Sequence, residues 1–156
     1  MKTVLVQMAD KKWTMQALHL ACALARNNHA EVIVLRLMPV HNIGLLGSEL
    51  GNVSPSDDEY EDLDLYGQIA EDYGVSMRVQ PMQYTTLVDA IDQAAEFVGA
   101  QAVFAKLPKN AVQYWRKFQL WNLGRSLASR GCQLYTLDQS TTEIEWTPSV
   151  TVKAAK

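Results

Sequence analysis

The chain lacks several patterns that would point directly to a function. Its 156 residues include only two cysteines, Cys22 and Cys132, with no CxxC pair, and three histidines without HExxH or other paired spacing. We therefore expect no metal site and two reduced thiols in a cytoplasmic protein. The motifs GxSxG, GxxxxGK[ST] and GxGxxG are also missing, so no hydrolase elbow and no common phosphate-binding glycine loop is indicated.

Long apolar runs are missing as well. No segment approaches the ~20 apolar residues that a membrane-spanning helix needs. Gln7 and Asp10 interrupt the N-terminal run too early for the core of a signal peptide. We therefore expect neither membrane insertion nor export. The content of 48% hydrophobic and 20% charged residues indicates an ordinary globular domain.

Two long stretches each lack one sign of charge. Residues 49–72 contain acids but no Lys or Arg, and residues 106–130 contain bases but no Asp or Glu. The bases of the second stretch, called here the basic stretch, are Lys106, Lys109, Arg116, Lys117, Arg125 and Arg130. Such a stretch either steers an anionic partner or solvates the outer face of a helix.

The apolar residues that are present alternate between strand-like and helix-like spacing. Compact runs rich in β-branched residues predict five strands, at residues 2–8, 31–40, 76–82, 102–105 and 132–137. Pro81 inside the third run favours an edge strand. After residue 140 a polar tail follows, in which residues 143–146 could add one further edge strand. We expect one domain over residues 1–140 and a tail over residues 141–156.

Helices are predicted between these strands from apolar residues at a period of 3.6 and from their end signals. Capping boxes at residues 56–59 (SDDE) and 86–89 (TLVD) open the second and third helices, and Gly74 and Gly99 end them. The alternating order predicts an α/β, doubly wound, Rossmann-like fold, with a parallel five-stranded sheet and helices on both faces. In the last helix, Trp115, Phe118 and Trp121 share a stripe that we interpret as core or dimer contacts rather than a base-stacking platform.

This arrangement resembles the universal stress protein family. The resemblance covers residues 2 to about 138. It rests on the first strand KTVLVQMAD, the alanine-rich helix ALHLACALA, the strand VIVLRLMPV before a long loop, the strand GVSMRVQ, and the unit LVDAIDQAAEFVGAQAVF. It implies an adenine-nucleotide-binding fold, the sheet order 3-2-1-4-5, and homodimers formed through the last strand.

The part of the family pattern that holds ATP phosphates is not matched. The family has G-x2-G-x9-G-[ST] after the fourth strand, whereas here Lys106 and Lys109 stand at the two leading glycines. The later Gly-[ST] falls near Gln119 and Leu120, whose side chains would fill the space of the phosphates. Asp10 alone remains, where the resemblance implies a carboxylate that binds ribose. We therefore expect no cofactor, with ATP as the alternative.

Four residues are the candidates for ligand binding: Asp10, Lys106, Lys109 and Arg116. Asp10 has two interpretations, a ligand contact or the N-cap of the first helix. The lysines either are solvated or bind a small anionic ligand at the start of the last helix, where Arg116 could extend the patch.

The predicted function is a non-enzymatic, universal-stress-like binding or regulatory module that does not bind ATP in the usual way. Three alternatives stay open: an ATP-binding member with an atypical phosphate loop, an anion or nucleic-acid binder that uses the basic stretch, and a regulatory domain for a transporter. Nucleic acid is the least favoured partner, and a homodimer is expected.

Overall fold

The computed structural model describes residues 1–40, 46, 54–107, 113–138 and 145–148, with side chains for all of these except 113–116, 138 and 145–148. The elements in chain order are β1 (Lys2–Gln7), α1 (Lys11–Asn28), β2 (Ala30–Pro39), α2 (Asp57–Tyr73), β3 (Met77–Tyr84), α3 (Leu87–Val98), β4 (Ala100–Phe104), α4 (Gln113–Ser129), β5 (Gln133–Asp138) and β6 (Glu145–Pro148). Strands and helices therefore alternate as the sequence predicts.

The strands form one sheet in the order β3-β2-β1-β4-β5-β6. The first five are parallel, which confirms the predicted five-stranded sheet and its order 3-2-1-4-5. β6 pairs antiparallel with β5, with Leu137 opposite Trp146. The outer edge of β5 is therefore occupied by the chain's own β6.

Helices cover both faces of the sheet because the apolar strand residues alternate between them. Val4, Val6 and Val34 face the side covered by α1 and α2. Leu5 and Ile33 face the other side, with α3 and α4. Buried on both faces, β1 and β2 are nearly continuous apolar runs in the sequence, as expected of central parallel strands.

Helix ends agree with the sequence signals in most cases. The Ser56 hydroxyl accepts the Glu59 N–H at 3.2 Å and begins α2. Gly74 ends α2 with a φ of 68°, and His29 ends α1 in the same left-handed region with a φ of 53°. The predicted capping box at residues 86–89 is wrong in one respect, because the Thr86 side chain makes no capping hydrogen bond.

β3 lies at the edge of the sheet, as Pro81 predicts. The carbonyl groups of Ser76 and Tyr84 accept hydrogen bonds from β2 and its extension, at 2.9 and 2.8 Å. Even-numbered residues of β3 therefore direct their backbone groups toward β2, and odd-numbered residues direct theirs outward. Pro81 takes one of the outward positions, where a missing N–H disturbs no pairing within the sheet.

Of the two interpretations of the aromatic residues on α4, core or dimer contacts, the core interpretation is wrong for the two whose side chains are described, and the dimer interpretation stays a prediction. Phe118 and Trp121 are 52% and 39% exposed, whereas Leu123 and Leu127 are buried against the sheet. The Arg125 guanidinium lies 5.4 Å from the centre of the Trp121 ring. Among the described residues, no helix has both the length and the apolar character needed to cross a bilayer.

Candidate functional site

The carboxyl ends of β1 and β4 are the natural place for a ligand in this fold. The two strands are neighbours, and the chain leaves them toward opposite sides of the sheet, which opens a crevice between their ends. Gln7 is the last residue of β1, Asp10 follows that strand, and Lys106 follows β4. Two of the four predicted site residues, Asp10 and Lys106, are therefore brought together although they lie 96 positions apart.

Lys106 is held at both ends. Its backbone N–H donates to the Oε1 atom of Gln7 at 2.8 Å. Its Nζ atom forms an ion pair with the Oδ1 atom of Asp10. Gln7 is only 6% exposed, so its amide is a fixed acceptor rather than a mobile surface group. Ala105, the residue before Lys106, is also held in place, since its N–H donates to the Tyr135 carbonyl at 3.0 Å.

Asp10 is the N-cap of α1, which confirms one of its two predicted interpretations. Its Oδ2 atom accepts the Trp13 N–H at 3.1 Å. The Thr14 hydroxyl donates to the Asp10 carbonyl at 2.9 Å and accepts the Ala9 N–H at 2.9 Å, so the turn before the helix is closed by hydrogen bonds on both sides. Replacing such a cap by Ala costs about 1 kcal/mol.

The charge of Asp10 is stabilised by these contacts. Partial burial alone would raise the pKa of its carboxyl. The hydrogen bond from Lys106, the Trp13 N–H and the Lys106 charge together outweigh burial and leave the pKa below its ordinary value. Asp10 is therefore a carboxylate at neutral pH, and its principal cationic contact is already within this chain.

Two residues that follow Asp10 contact other parts of the fold, Lys11 at α2 and Trp13 in the core. Lys11 turns to Asp62 of α2, with 3.3 Å between Nζ and Oδ1. Trp13 is completely buried, and its Nε1–H has no hydrogen-bond partner. Tyr66 of α2 is completely buried in the same cluster, and this burial raises the pKa of its hydroxyl, with Asp62 and Asp10 acting in the same direction.

Two acids of α2 form ion pairs with residues of other elements. Glu59 accepts a hydrogen bond from the Nε atom of Arg36 at 2.8 Å, and Asp62 pairs with Lys11. The Arg36 side chain is 10% exposed and comes from β2. The single arginine inside the run VIVLRLM was the sequence signal that could have indicated this ion pair, because a buried guanidinium requires an anionic partner.

The basic stretch is less available than its composition suggests. Lys106 pairs with Asp10, and Arg130 pairs with Asp92 of α3. Lys109 lies outside the described residues. Arg116 lies in α4, but its side chain is outside the described part of the structure. The predicted grouping of these two with Lys106 therefore stays a prediction.

The described side chains contain no cluster of His, Cys, Asp and Glu that could hold a metal ion. Cys22 and Cys132 are both free and buried, and burial raises the pKa of their thiols to about 11 and about 12. Neither thiol has the lowered pKa of a nucleophile at neutral pH.

Comparison with known proteins identifies the fold. No family model and no curated protein matches the sequence. Among solved structures, a universal stress protein in complex with cAMP has a TM-score of 0.57 and 18% identity, covering 89% of this chain and 98% of that chain. A universal stress family protein from Burkholderia pseudomallei has a TM-score of 0.57 and 15% identity, covering 86% and 93%.

A third similar structure is the universal stress protein UspA from Lactobacillus plantarum, with a TM-score of 0.52 and 14% identity, covering 86% of this chain and 96% of that chain. These matches cover nearly the full length of the solved proteins. The chain therefore has the fold of the universal stress proteins, which confirms the predicted resemblance at the level of fold.

Proposed function

We propose that this chain is a non-enzymatic, cytoplasmic binding or regulatory module of the universal stress fold, whose crevice does not hold ATP in the way usual for that family. The observation that supports this is the ion pair between Lys106 and Asp10. The carboxylate that the resemblance assigns to ribose is paired with a cation, and this cation stands where the family has its first loop glycine.

The residues present do not fit a triphosphate bound in the usual way. A glycine loop binds phosphates through closely approaching backbone N–H groups. Here the Lys106 N–H is already donated to Gln7, and the Lys106 ammonium is already paired. A nucleotide would therefore have to break the ion pair to use the Lys106 ammonium, and compete with the buried Gln7 amide to use the Lys106 N–H.

The test is thermal unfolding with ATP and Mg²⁺. A ligand at 100 times its Kd adds ~2.7 kcal/mol, which raises the Tm of a domain of this size by about 5–10 °C. We expect no shift at millimolar ATP. A clear shift that is lost in Asp10→Asn and kept in Lys12→Ala would refute the proposal, because Lys12 is an exposed neighbour outside the ion pair.

A second candidate is the binding of a compact adenine nucleotide with a single phosphate. It is favoured by the similar structure in complex with cAMP, which covers 89% of this chain. Lys106 would then turn from Asp10 to the phosphate, and Asp10 would accept a ligand hydroxyl. A shift with cAMP but not with ATP, abolished by Lys106→Ala, would support this candidate over the first.

The expected absence of catalysis is tested by phosphate release. We expect no release of phosphate from ATP above that of Asp10→Asn.

Homodimers remain part of the proposal. Since β6 lies along β5, a dimer through this side of the sheet would pair through β6 or displace it. Sedimentation of the full chain and of a chain ending at residue 140 would distinguish these two geometries.

A further inference from the structure

An apolar pocket lies between the edge strand β3 and helix α3, on the face covered by α3 and α4. Its volume is about 300 Å³. The lining side chains are Gln80, Pro81 and Met82 from β3, and Gln93, Ala94, Phe97 and Val98 from α3. None of them is ionisable. Ala94 lies at a buried position of α3, and its side chain is the smallest of those that line the pocket.

The pocket has a fixed floor and an exposed aromatic rim. Met82 and Val98 pack against the buried cluster beneath α3, so the floor belongs to the core of the domain. Phe97 is 81% exposed beside it, and is the most exposed aromatic side chain described. An exposed phenyl ring next to a small apolar cavity can cover an occupant and lose its own contact with water.

The backbone argues against an added peptide strand as the occupant. An incoming strand would pair with the outward-directed groups of β3. Pro81 stands at one of these outward positions and offers no N–H, so the ladder would be interrupted at its centre.

The size of the patch argues against a second copy of the chain. Reciprocal insertion of two Phe97 rings would bury roughly 300–500 Å², whereas a stable interface needs about 1,000 Å² or more. The uncharged lining also excludes a charged occupant, because a charge would lose its hydration without an opposite charge in return.

We propose that this pocket binds a small uncharged apolar molecule of about one to three rings or a short hydrocarbon chain. Phe97 covers the ligand, Ala94 leaves room for it, and the Gln93 amide at the rim meets a single polar group. The Gln80 amide is partly engaged, since its Nε2 atom donates to the Pro81 carbonyl at 3.2 Å. This site is separate from the crevice and does not depend on the function proposed there.

The experiment compares two fluorescent ligands that share their rings and differ in charge. The neutral ligand is N-phenyl-1-naphthylamine, and the charged one is 8-anilinonaphthalene-1-sulfonate. We expect saturable binding of the neutral ligand with a micromolar Kd, and binding of the sulfonate at least tenfold weaker. Ala94→Leu and Phe97→Ala should each weaken binding of the neutral ligand at least tenfold.

Phe118→Ala is the matched control, because Phe118 is another exposed phenylalanine, on α4 and outside the pocket. It should change the Kd by less than twofold. Phe97 is so exposed that its truncation leaves the fold intact, which keeps the test valid if Ala94→Leu disturbs packing. Three results would overturn the proposal: no saturable binding, equal effects of Phe97→Ala and Phe118→Ala, or dimers in sedimentation that Phe97→Ala abolishes.

Discussion

The Arg36–Glu59 ion pair fixes the start of α2 to the sheet. The change Glu59→Gln tests how much this ion pair contributes to the free energy of unfolding. Removing one partner of a fully buried pair costs about 3–5 kcal/mol. Here the Arg36 side chain is 10% exposed but Glu59 is 38% exposed, so solvent screens part of the interaction. Arg36 also keeps another interaction. Glutamine can still accept the Nε–H, so only the charge is lost.

With these discounts we expect Glu59→Gln to lower the free energy of unfolding by about 1–2 kcal/mol. This corresponds to a Tm lower by about 2–8 °C for a domain of this size. The assay is urea unfolding followed by circular dichroism, with the midpoint and slope fitted together. Arg36→Met should cost less than Glu59→Gln, because methionine fills the buried space and leaves the remaining charge near water.

Asp58→Asn is the control for the helix dipole. Asp58 and Glu59 both lie in the first turn of α2, where an acid contributes about 0.3–1 kcal/mol. Asp58 is exposed, so its substitution reports the dipole alone. Equal losses in Asp58→Asn and Glu59→Gln would refute the reasoning, since the ion pair would then contribute nothing beyond the dipole. The double change Arg36→Met with Glu59→Gln should cost no more than Arg36→Met alone.

Four further predictions concern other parts of the fold. Because burial raises the thiol pKa of Cys22 to about 11 and of Cys132 to about 12, neither should react with a disulfide reagent in the native protein at pH 8. The raised thiol pKa values leave the free energy of unfolding unchanged below pH 9.0. The free energy of unfolding should fall as the pH rises from 9.0 toward about 11 and about 12, because the thiols of the unfolded chain ionise first. His29→Gly should raise stability by about 1 kcal/mol, since His29 has a φ of 53°. Ser126→Ala should cost about 1 kcal/mol, because the Ser126 hydroxyl donates to the Asp92 carboxylate at 2.9 Å between α4 and α3.

The labelling prediction and the two substitutions each have a contradicting result. Rapid thiol labelling in the folded state would show that the helices open locally over the cysteines. A loss of stability in His29→Gly would show that the imidazole contributes more than its backbone conformation costs; its exposure argues against this. For Ser126, a cost equal to that of Ser129→Ala would be inconsistent, because Ser129 bonds only to its own helix, at the Ser126 carbonyl.

The strands and most helix ends could be anticipated because local patterns decide them, whereas the sheet order 3-2-1-4-5 was implied only by the resemblance to a known family. Short continuous apolar runs rich in β-branched residues favour central parallel strands, and the left-handed glycines after α2 and α3 end those helices wherever the helices pack. Pro81 identified the edge strand because a proline cannot pair on both sides. In these cases the determining interaction lies within one short segment.

The site could be predicted only in part because its contacts join distant segments. Asp10 as an N-cap is local and was foreseen, whereas its pairing with Lys106 depends on how far β4 extends beside β1. Arg36 lies within a run predicted as a strand, and its partner Glu59 comes from a different element. The Thr86 box had the right residues, but the turn before α3 leaves the hydroxyl without a capping bond.

The alternation of backbone directions along β3 also determines how its amides meet the solvent. The Arg78 and Met82 N–H groups lie inside the sheet, and those of Met77 and Val79 lie on its outer margin. In deuterium exchange the strand should therefore show slow and fast positions in turn, rather than a uniform gradient toward its ends. Exchange rates along β3 would therefore report the binding of a partner at this margin, because such a partner would slow exchange at the odd-numbered amides only.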